Sequence, residues 1–169
     1  MEEYALYCYI RDIIKNITSD FVISHNDYDL NGNNIIGVVT SGGMTPEYRN
    51  LKSGEYYNYN TRMQLILQSS LDKDDLFKLL ELLSKLRLIF SASCINQPTL
   101  IKDVVFKDGS LVRYSDQLEE YSDCILTISR TGMIGEARFR GKTSQGKPIY
   151  VMNYNINYYF EQGGVHNGS

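Results

Sequence analysis

The sequence is short of several residue types, and each shortage excludes a class of site. Its 169 residues include no tryptophan, three prolines, three cysteines and two histidines. The cysteines, Cys8, Cys94 and Cys124, are far apart and form no CxxC pair. This spacing predicts reduced, mostly buried thiols instead of a disulfide framework or a zinc site. Neither His25 nor His166 has a partner at metal-ligand spacing, which favours exposed histidines without a special role.

Long apolar runs and an excess of basic charge are also missing. No stretch approaches the roughly 18 consecutive apolar residues that a membrane-spanning helix needs, and the N-terminus lacks the pattern of a secretory signal. The formal net charge is -3, whereas a dedicated nucleic-acid binder carries a basic face. We therefore expect an intracellular protein with no membrane contact and no specific nucleic-acid binding.

Tyrosine, by contrast, is abundant, with 14 residues. A large apolar ring with a polar tip suits half-buried strands and protein interfaces. A coding genome rich in A and T would also favour tyrosine and asparagine, and composition alone does not separate the two explanations. Hydrophobic residues at 43% and charged residues at 22% indicate a globular chain.

Two segments have helical periodicity. Residues 3–17 repeat apolar side chains at spacings of three and four, and residues 72–90 do so after an acidic first turn, which the helix dipole favours. The predicted core-facing residues are Leu6, Ile10, Ile13, Ile14 and Ile17 in the first helix and Leu76, Leu79, Leu80, Leu83 and Leu86 in the second.

Two long segments alternate with a period of two. Residues 57–68 place tyrosine, threonine and aliphatic side chains on one face, and residues 149–160 place aromatic and aliphatic side chains opposite Asn153, Asn155 and Asn157. At roughly 3.3 Å per residue such strands reach about 40 Å, so we expect them to project beyond their own core.

These patterns predict one α+β domain over residues 1–160. A mainly antiparallel or mixed sheet packs against the two helices in this prediction. Shorter strands are expected near 21–23, 35–40 and 99–105, with 41–54 as a loop. The glycine-rich segment 161–169 is predicted to be a flexible polar tail.

No segment meets the requirements of a catalytic, metal or cofactor site. Asp27, Asp29 and Asn31 are spaced like the start of an EF-hand loop, but Val38 stands where a bidentate glutamate is required. The sequence at 141–143, Gly-Lys-Thr, lacks the upstream glycine of a phosphate loop. We therefore predict no catalytic residue, no metal and no cofactor.

A basic segment runs from Arg130 to Lys147 and contains Arg138, Arg140 and Lys142. An exposed strand and loop is the favoured interpretation. Contact with nucleic acid or with an acidic surface of a partner is the alternative.

The order of elements resembles that of the tailed-phage minor capsid and tail-terminator proteins. In that family an N-terminal helix and a hairpin region precede a long strand, a leucine-rich helix and a closing two-stranded segment. The matching parts here are the strand Tyr59–Leu67 before the leucine helix, the pair Ile134–Gly135, the polar turn Lys142–Pro148, and the closing strand Ile149–Phe160.

The resemblance implies a structural virion protein assembled in the host cytoplasm, acting as a tail terminator, tail-completion protein or head-tail connector. It implies a homo-oligomeric ring, typically of six copies, that caps the tail tube and joins tail to head, with DNA passing through its lumen. Other tail and head-completion proteins would be its partners. Because a ring needs a heterologous interface, we expect contacts at the strand ends and the closing turn. The candidate interface residues are Tyr56, Tyr57, Tyr59, Lys142, Gln145 and Lys147.

Two other classes of function stay open. One is a cytoplasmic protein- or peptide-binding module that uses a tyrosine-rich sheet surface. The other is a degenerate enzyme domain, which ranks last because no nucleophile, base or metal set is visible.

Overall fold

In the computed structural model, residues 1–26, 33–49, 57–88, 90 and 94–168 are described, with the backbone alone for 41–49 and 57–58. These residues form two helices and one eight-stranded sheet. In chain order the elements are α1 (Glu2–Ile17), β1 (Val22–His25), β2 (Ile35–Arg49), β3 (Tyr57–Gln68), α2 (Lys73–Leu88), β4 (Thr99–Lys107), β5 (Ser110–Arg113), β6 (Glu120–Met133), β7 (Arg138–Lys142) and β8 (Pro148–Asn167).

The sheet is mixed, with the strand order β1-β2-β3-β8-β6-β4-β5 and β7 attached to β8. β1 and β2 are parallel, and the other pairs of described strands are antiparallel. Met133 at the end of β6 faces Tyr154, and Arg138 of β7 faces Val151 further along β8. Thus β6, β7 and β8 form one long hairpin, whose turn holds residues 143–147.

Both helices cover the same face of the sheet and share one core with it. The alternation predicted for the long strands is confirmed, because every second residue is buried against the helices. Buried residues include Leu6, Ile10 and Ile14 of α1, Leu79, Leu83 and Leu86 of α2, and Met63, Leu65, Leu67, Met152, Tyr154, Ile156 and Tyr158 of the sheet. Each such side chain contributes about 2 kcal/mol by leaving water. The predicted α+β class, with a sheet packed against two helices, is confirmed.

Specific polar contacts fix each helix on the sheet. A guanidinium nitrogen of Arg11 on α1 lies 2.5 Å from the Asp103 carboxylate of β4. The same guanidinium lies 2.9 Å from the Asp12 carboxylate. The hydrogen bond from Arg11 lowers the pKa of Asp103 below its usual range. On the other side of the core, the Tyr154 hydroxyl donates to the Leu86 carbonyl of α2 at 3.5 Å.

Two segments predicted as loop and tail are strands. Residues 41–49 continue β2, with irregular register between Ser41 and Thr45. Residues 161–167 continue β8 and pair with β6, as Tyr121 facing His166 shows. The prediction of a tail rested on the glycines of this segment. Gly163 instead allows β8 to pack closely on β6, because a Cβ on it would lie 3.0 Å from the Asp123 Cβ.

A tight turn at Asp108 and Gly109 joins β4 and β5 in a short hairpin. Asp108 and Gly109 both have positive φ, at 51° and 78°, which is the conformation that a two-residue hairpin turn requires and that an Asp-Gly pair favours.

Candidate interaction surfaces

The far ends of β6 and β8 form what we call the projecting ribbon, Glu120–Asp123 paired with Gln162–Asn167. The last buried residue of β8 is Phe160, and the residues after it are exposed or half-buried. Pairing between β3 and β8 ends at Asn58 and Tyr159. Within the described part of the chain, β8 therefore continues past its β3 neighbour with a backbone edge that no strand occupies.

Aromatic stacking gives the projecting ribbon a defined shape. The His166 ring stacks on Tyr121 with centroids 4.8 Å apart, and its Nε2 lies 2.8 Å from the Asp123 Oδ1. Tyr114 packs edge-on against the other side of Tyr121, at 5.5 Å. His166, which the sequence placed in a tail, thus links the two strands of the ribbon.

A second surface is an apolar stripe on the outside of α2. Phe77 is 69% exposed, Leu80 40% and Leu88 73%, and we call these three residues the outer stripe. At 100° per residue they fall on one side of the helix. The buried residues Leu79 and Leu83 lie on the opposite side. The helix is therefore apolar towards the core, and on its solvent side the three apolar residues stand among exposed polar ones such as Glu81 and Ser84.

The sequence prediction missed this second stripe, because it assigned Leu80 to the core. Leu82 occupies that side instead and is buried. A helical wheel places Phe77, Leu80 and Leu88 on one side of the helix, so their spacing in the sequence could have predicted the outer stripe.

The predicted interface residues fall into three groups. Lys142 and Gln145 lie exposed at the end of the β7–β8 hairpin. Lys147 is only 7% exposed, and its place at a subunit interface stays a prediction. Its backbone closes the turn, since the Thr143 N–H donates to the Lys147 carbonyl at 2.8 Å.

The predicted tyrosines are placed differently. Tyr59 is half-buried, and its ring stacks on Tyr158 at 5.6 Å and meets Phe160 edge-on at 5.7 Å. It therefore belongs to the aromatic end of the core. Tyr56 lies outside the described residues, and Tyr57 is described by its backbone alone.

The helix-free face of the sheet is polar in the middle of β8, between Val151 and Tyr159. The asparagines of β8, Asn153, Asn155 and Asn157, alternate with the tyrosines that point into the core. Gln64 of β3 donates to Asn153 Oδ1 at 3.0 Å across the two strands. Beside them, Asn60, Arg130, Gly132, Asn155 and Asn157 line a depression of about 300 Å³.

The basic segment begins with Arg130 on β6 and continues through β7 and the turn after it. Arg138, Arg140 and Lys142 are exposed, and Phe139, also exposed, meets Tyr150 edge-on at 5.5 Å. The favoured interpretation, an exposed strand and loop, agrees with this placement.

The residues considered for chemistry are held in the core or in side-chain contacts. His25, expected to be exposed, is half-buried on β1, where it stacks on Tyr7 at 4.6 Å, and burial lowers its pKa. All three cysteines are buried and none is in a disulfide, as predicted. Burial raises the pKa of Cys8 to about 11 and that of Cys124 to about 12, which keeps both thiols protonated and unreactive at neutral pH.

The structure also bears on a metal site and on a membrane-spanning helix. The calcium-like turn at Asp27–Gly32 lies outside the described part of the chain. Within that part, no group of three histidine, cysteine or acidic side chains is arranged to hold a metal ion, and no helix has the length and hydropathy needed to span a membrane.

Comparison with known proteins gives no family assignment. No protein-family model matches the chain, and no curated protein matches it significantly.

Proposed function

We propose that this chain is a structural subunit that assembles with copies of itself into a ring in the virion of a tailed bacteriophage. Its place in this proposal is the tail end or the head-tail junction, where a tail terminator or connector caps the tube and joins tail to head. Two lines support it: the resemblance in element order and closing segment, and surfaces that a solitary subunit does not need.

The outer stripe of α2 is the observation that carries the proposal. Phe77 and Leu88 are both more than two-thirds exposed, and removing such side chains from water contributes about 1.5–3 kcal/mol each. Single exposed apolar residues are ordinary, but a stripe on one side of one helix is typical of a contact surface. A second copy of the chain is the occupant that the ring supplies.

A ring also needs a second, different surface on each subunit, because its interface is heterologous. The projecting ribbon supplies one, beyond the last buried residue of β8. In the described part of the chain no strand pairs with β8 on the β3 side past Tyr159, so this edge can accept hydrogen bonds from a neighbouring segment. The stacked Tyr121 and His166 are aromatic groups of the kind enriched at interfaces. The outer stripe and the projecting ribbon belong to different elements, as a head-to-tail contact requires.

The peptide-binding alternative loses the surface on which it was based. Tyr154 and Tyr158 are buried beneath the helices, and the open face of β8 carries asparagines together with the half-buried Tyr159. A binding module on this face would therefore rely on amide groups more than on tyrosine rings.

Charged substitutions in the outer stripe test the proposal. Phe77→Glu and Leu88→Glu should each weaken self-association about tenfold or more, because a buried interface does not tolerate an unpaired charge. Val22→Glu is the matched control: Val22 is 70% exposed but lies on the edge strand β1. Mass is measured by light scattering after size-exclusion chromatography, and rings by negative-stain microscopy.

The control decides how the result is read. A closed oligomer that survives Val22→Glu and dissociates in the two α2 variants supports the proposal. Equal loss in all three variants, or a wild type that stays a monomer, would contradict it.

A further inference from the structure

A β-bulge on the helix-free face aims one arginine at the asparagines of β8. Ile128 faces Tyr158 on the core side, and a regular strand would turn Arg130, two residues later, to that same side. The register shifts between them, so that Arg130 faces Asn157 instead. Ser129, the extra residue, donates its Oγ hydrogen bond to the Asn157 carbonyl at 3.2 Å. Bulges of this kind re-aim a side chain and are frequent beside functional sites.

The result is two rows of polar residues across three neighbouring strands. The first row holds Asn60, Asn157 and Arg130, and the second holds Arg62, Asn155 and Gly132, according to the register of β3, β8 and β6. Five of these six residues line the depression of about 300 Å³, and none of the five is acidic. Arg130, Asn155 and Gly132 are exposed to solvent there.

We propose that this depression binds a phosphate group. Arg130 offers a guanidinium with a planar set of N–H donors that matches phosphate oxygens, and the exposed Asn155 adds a neutral amide donor beside it. Gly132 leaves the approach open, because a Cβ there would have no neighbour within 4 Å. None of the described residues that line the depression is aromatic, whereas sheets that hold nucleobases stack them on aromatic rings.

A phosphate group reaches such a site from two sources. It can be a free inorganic anion, or it can be part of a phosphodiester backbone, which the site would hold without reading the sequence. The proposal is independent of the ring, because all the residues belong to one copy of the chain. Of the basic segment only Arg130 lines the depression; Arg138, Arg140 and Lys142 on β7 are not among its lining residues.

Two probes and three variants test the site in the full-length protein. Pyrophosphate binding is measured by titration calorimetry, and binding of a short fluorescent oligothymidine by anisotropy at low and high salt. Arg130→Gln should weaken binding about ten- to a hundredfold, the expected loss for a charge-assisted contact. Gly132→Asp should do the same by placing a carboxylate in the open space. Arg138→Gln is the matched control, since it removes one exposed positive charge from β7.

The binding of the two probes to the wild type and to the variants decides whether the site exists and which ligand it takes. Loss of binding in Arg130→Gln and Gly132→Asp, with Arg138→Gln unchanged, supports the site. Binding of pyrophosphate alone identifies a free anion as the ligand, and binding of both probes with a steep salt dependence identifies a backbone. No binding of either probe by the wild type, or an equal loss in Arg138→Gln, would overturn the proposal. Thermal unfolding of each variant confirms that the fold is intact.

Discussion

At the scale of single residues, the contact between Arg11 and Asp103 makes stability depend on pH. The hydrogen bond from Arg11 lowers the pKa of Asp103 in the folded state. Its contribution is therefore complete above the unfolded pKa of about 4 and disappears as the pH falls through the lower folded value. Asp103 is 41% exposed, so solvent screening limits this contribution to about 1 kcal/mol or less.

Asp103→Asn should accordingly lower the free energy of unfolding at neutral pH by up to about 1 kcal/mol. The difference from wild type should close as the pH falls below about 4. Urea denaturation across this range measures it, with Asp12→Asn, which removes the other carboxylate on Arg11, as the comparison. A difference that persists undiminished into acid would mean that the carboxylate charge is not the cause.

Two lysines of one turn, the exposed Lys142 and the buried Lys147, allow the proposed ring contact and the stability of the fold to be tested separately. Lys147→Glu should destabilise the subunit by about 3 kcal/mol, because it reverses a buried charge. Lys142→Glu, at an exposed position, should change the stability by less than about 0.5 kcal/mol and lower the oligomer mass instead. Thermal unfolding and light scattering distinguish the two. An unchanged mass for Lys142→Glu would remove this turn from the ring contact.

At the scale of elements, α2 has apolar residues on its core-facing side and in the outer stripe, and we expect substitutions on the two sides to have different effects. Leu83 faces the core and Leu80 belongs to the outer stripe. Leu83→Ala should cost about 3 kcal/mol of stability through lost burial and the cavity it leaves. Leu80→Ala should cost about 0.5 kcal/mol or less in the subunit but weaken self-association. Denaturation at low concentration and sedimentation at high concentration measure the two effects. Comparable destabilisation by both substitutions would contradict the division of the helix.

Elements with a strong local pattern could be predicted from the sequence. The helices α1 and α2, the strand β3 and the first part of β8 each carry their own periodicity, and the Asp108–Gly109 turn carries its own backbone preference. The strand residues 41–49 and 161–167 could not be predicted, because their pairing depends on neighbours distant in the chain. The same is true of Arg130, whose direction follows from a bulge against β8.

At the scale of the whole molecule, one face of the sheet packs against the two helices, and the other face carries no helix in the described part of the chain. The helices bury the tyrosine side of β3 and β8, and the asparagine side stays open. The expectation that tyrosines lie at the assembly surface rests on composition. Composition does not show which face of a strand is buried, nor how exposed a lysine such as Lys147 is. The surfaces left for partners are the outer stripe, the projecting ribbon and the polar depression.

The most direct test of self-assembly is the mass of the wild-type protein over a wide range of concentration, measured by sedimentation velocity. The outer stripe and the projecting ribbon predict one closed species, several times the mass of the subunit, that stays discrete as the concentration rises. A single species with the mass of one subunit at the highest concentration would contradict the account.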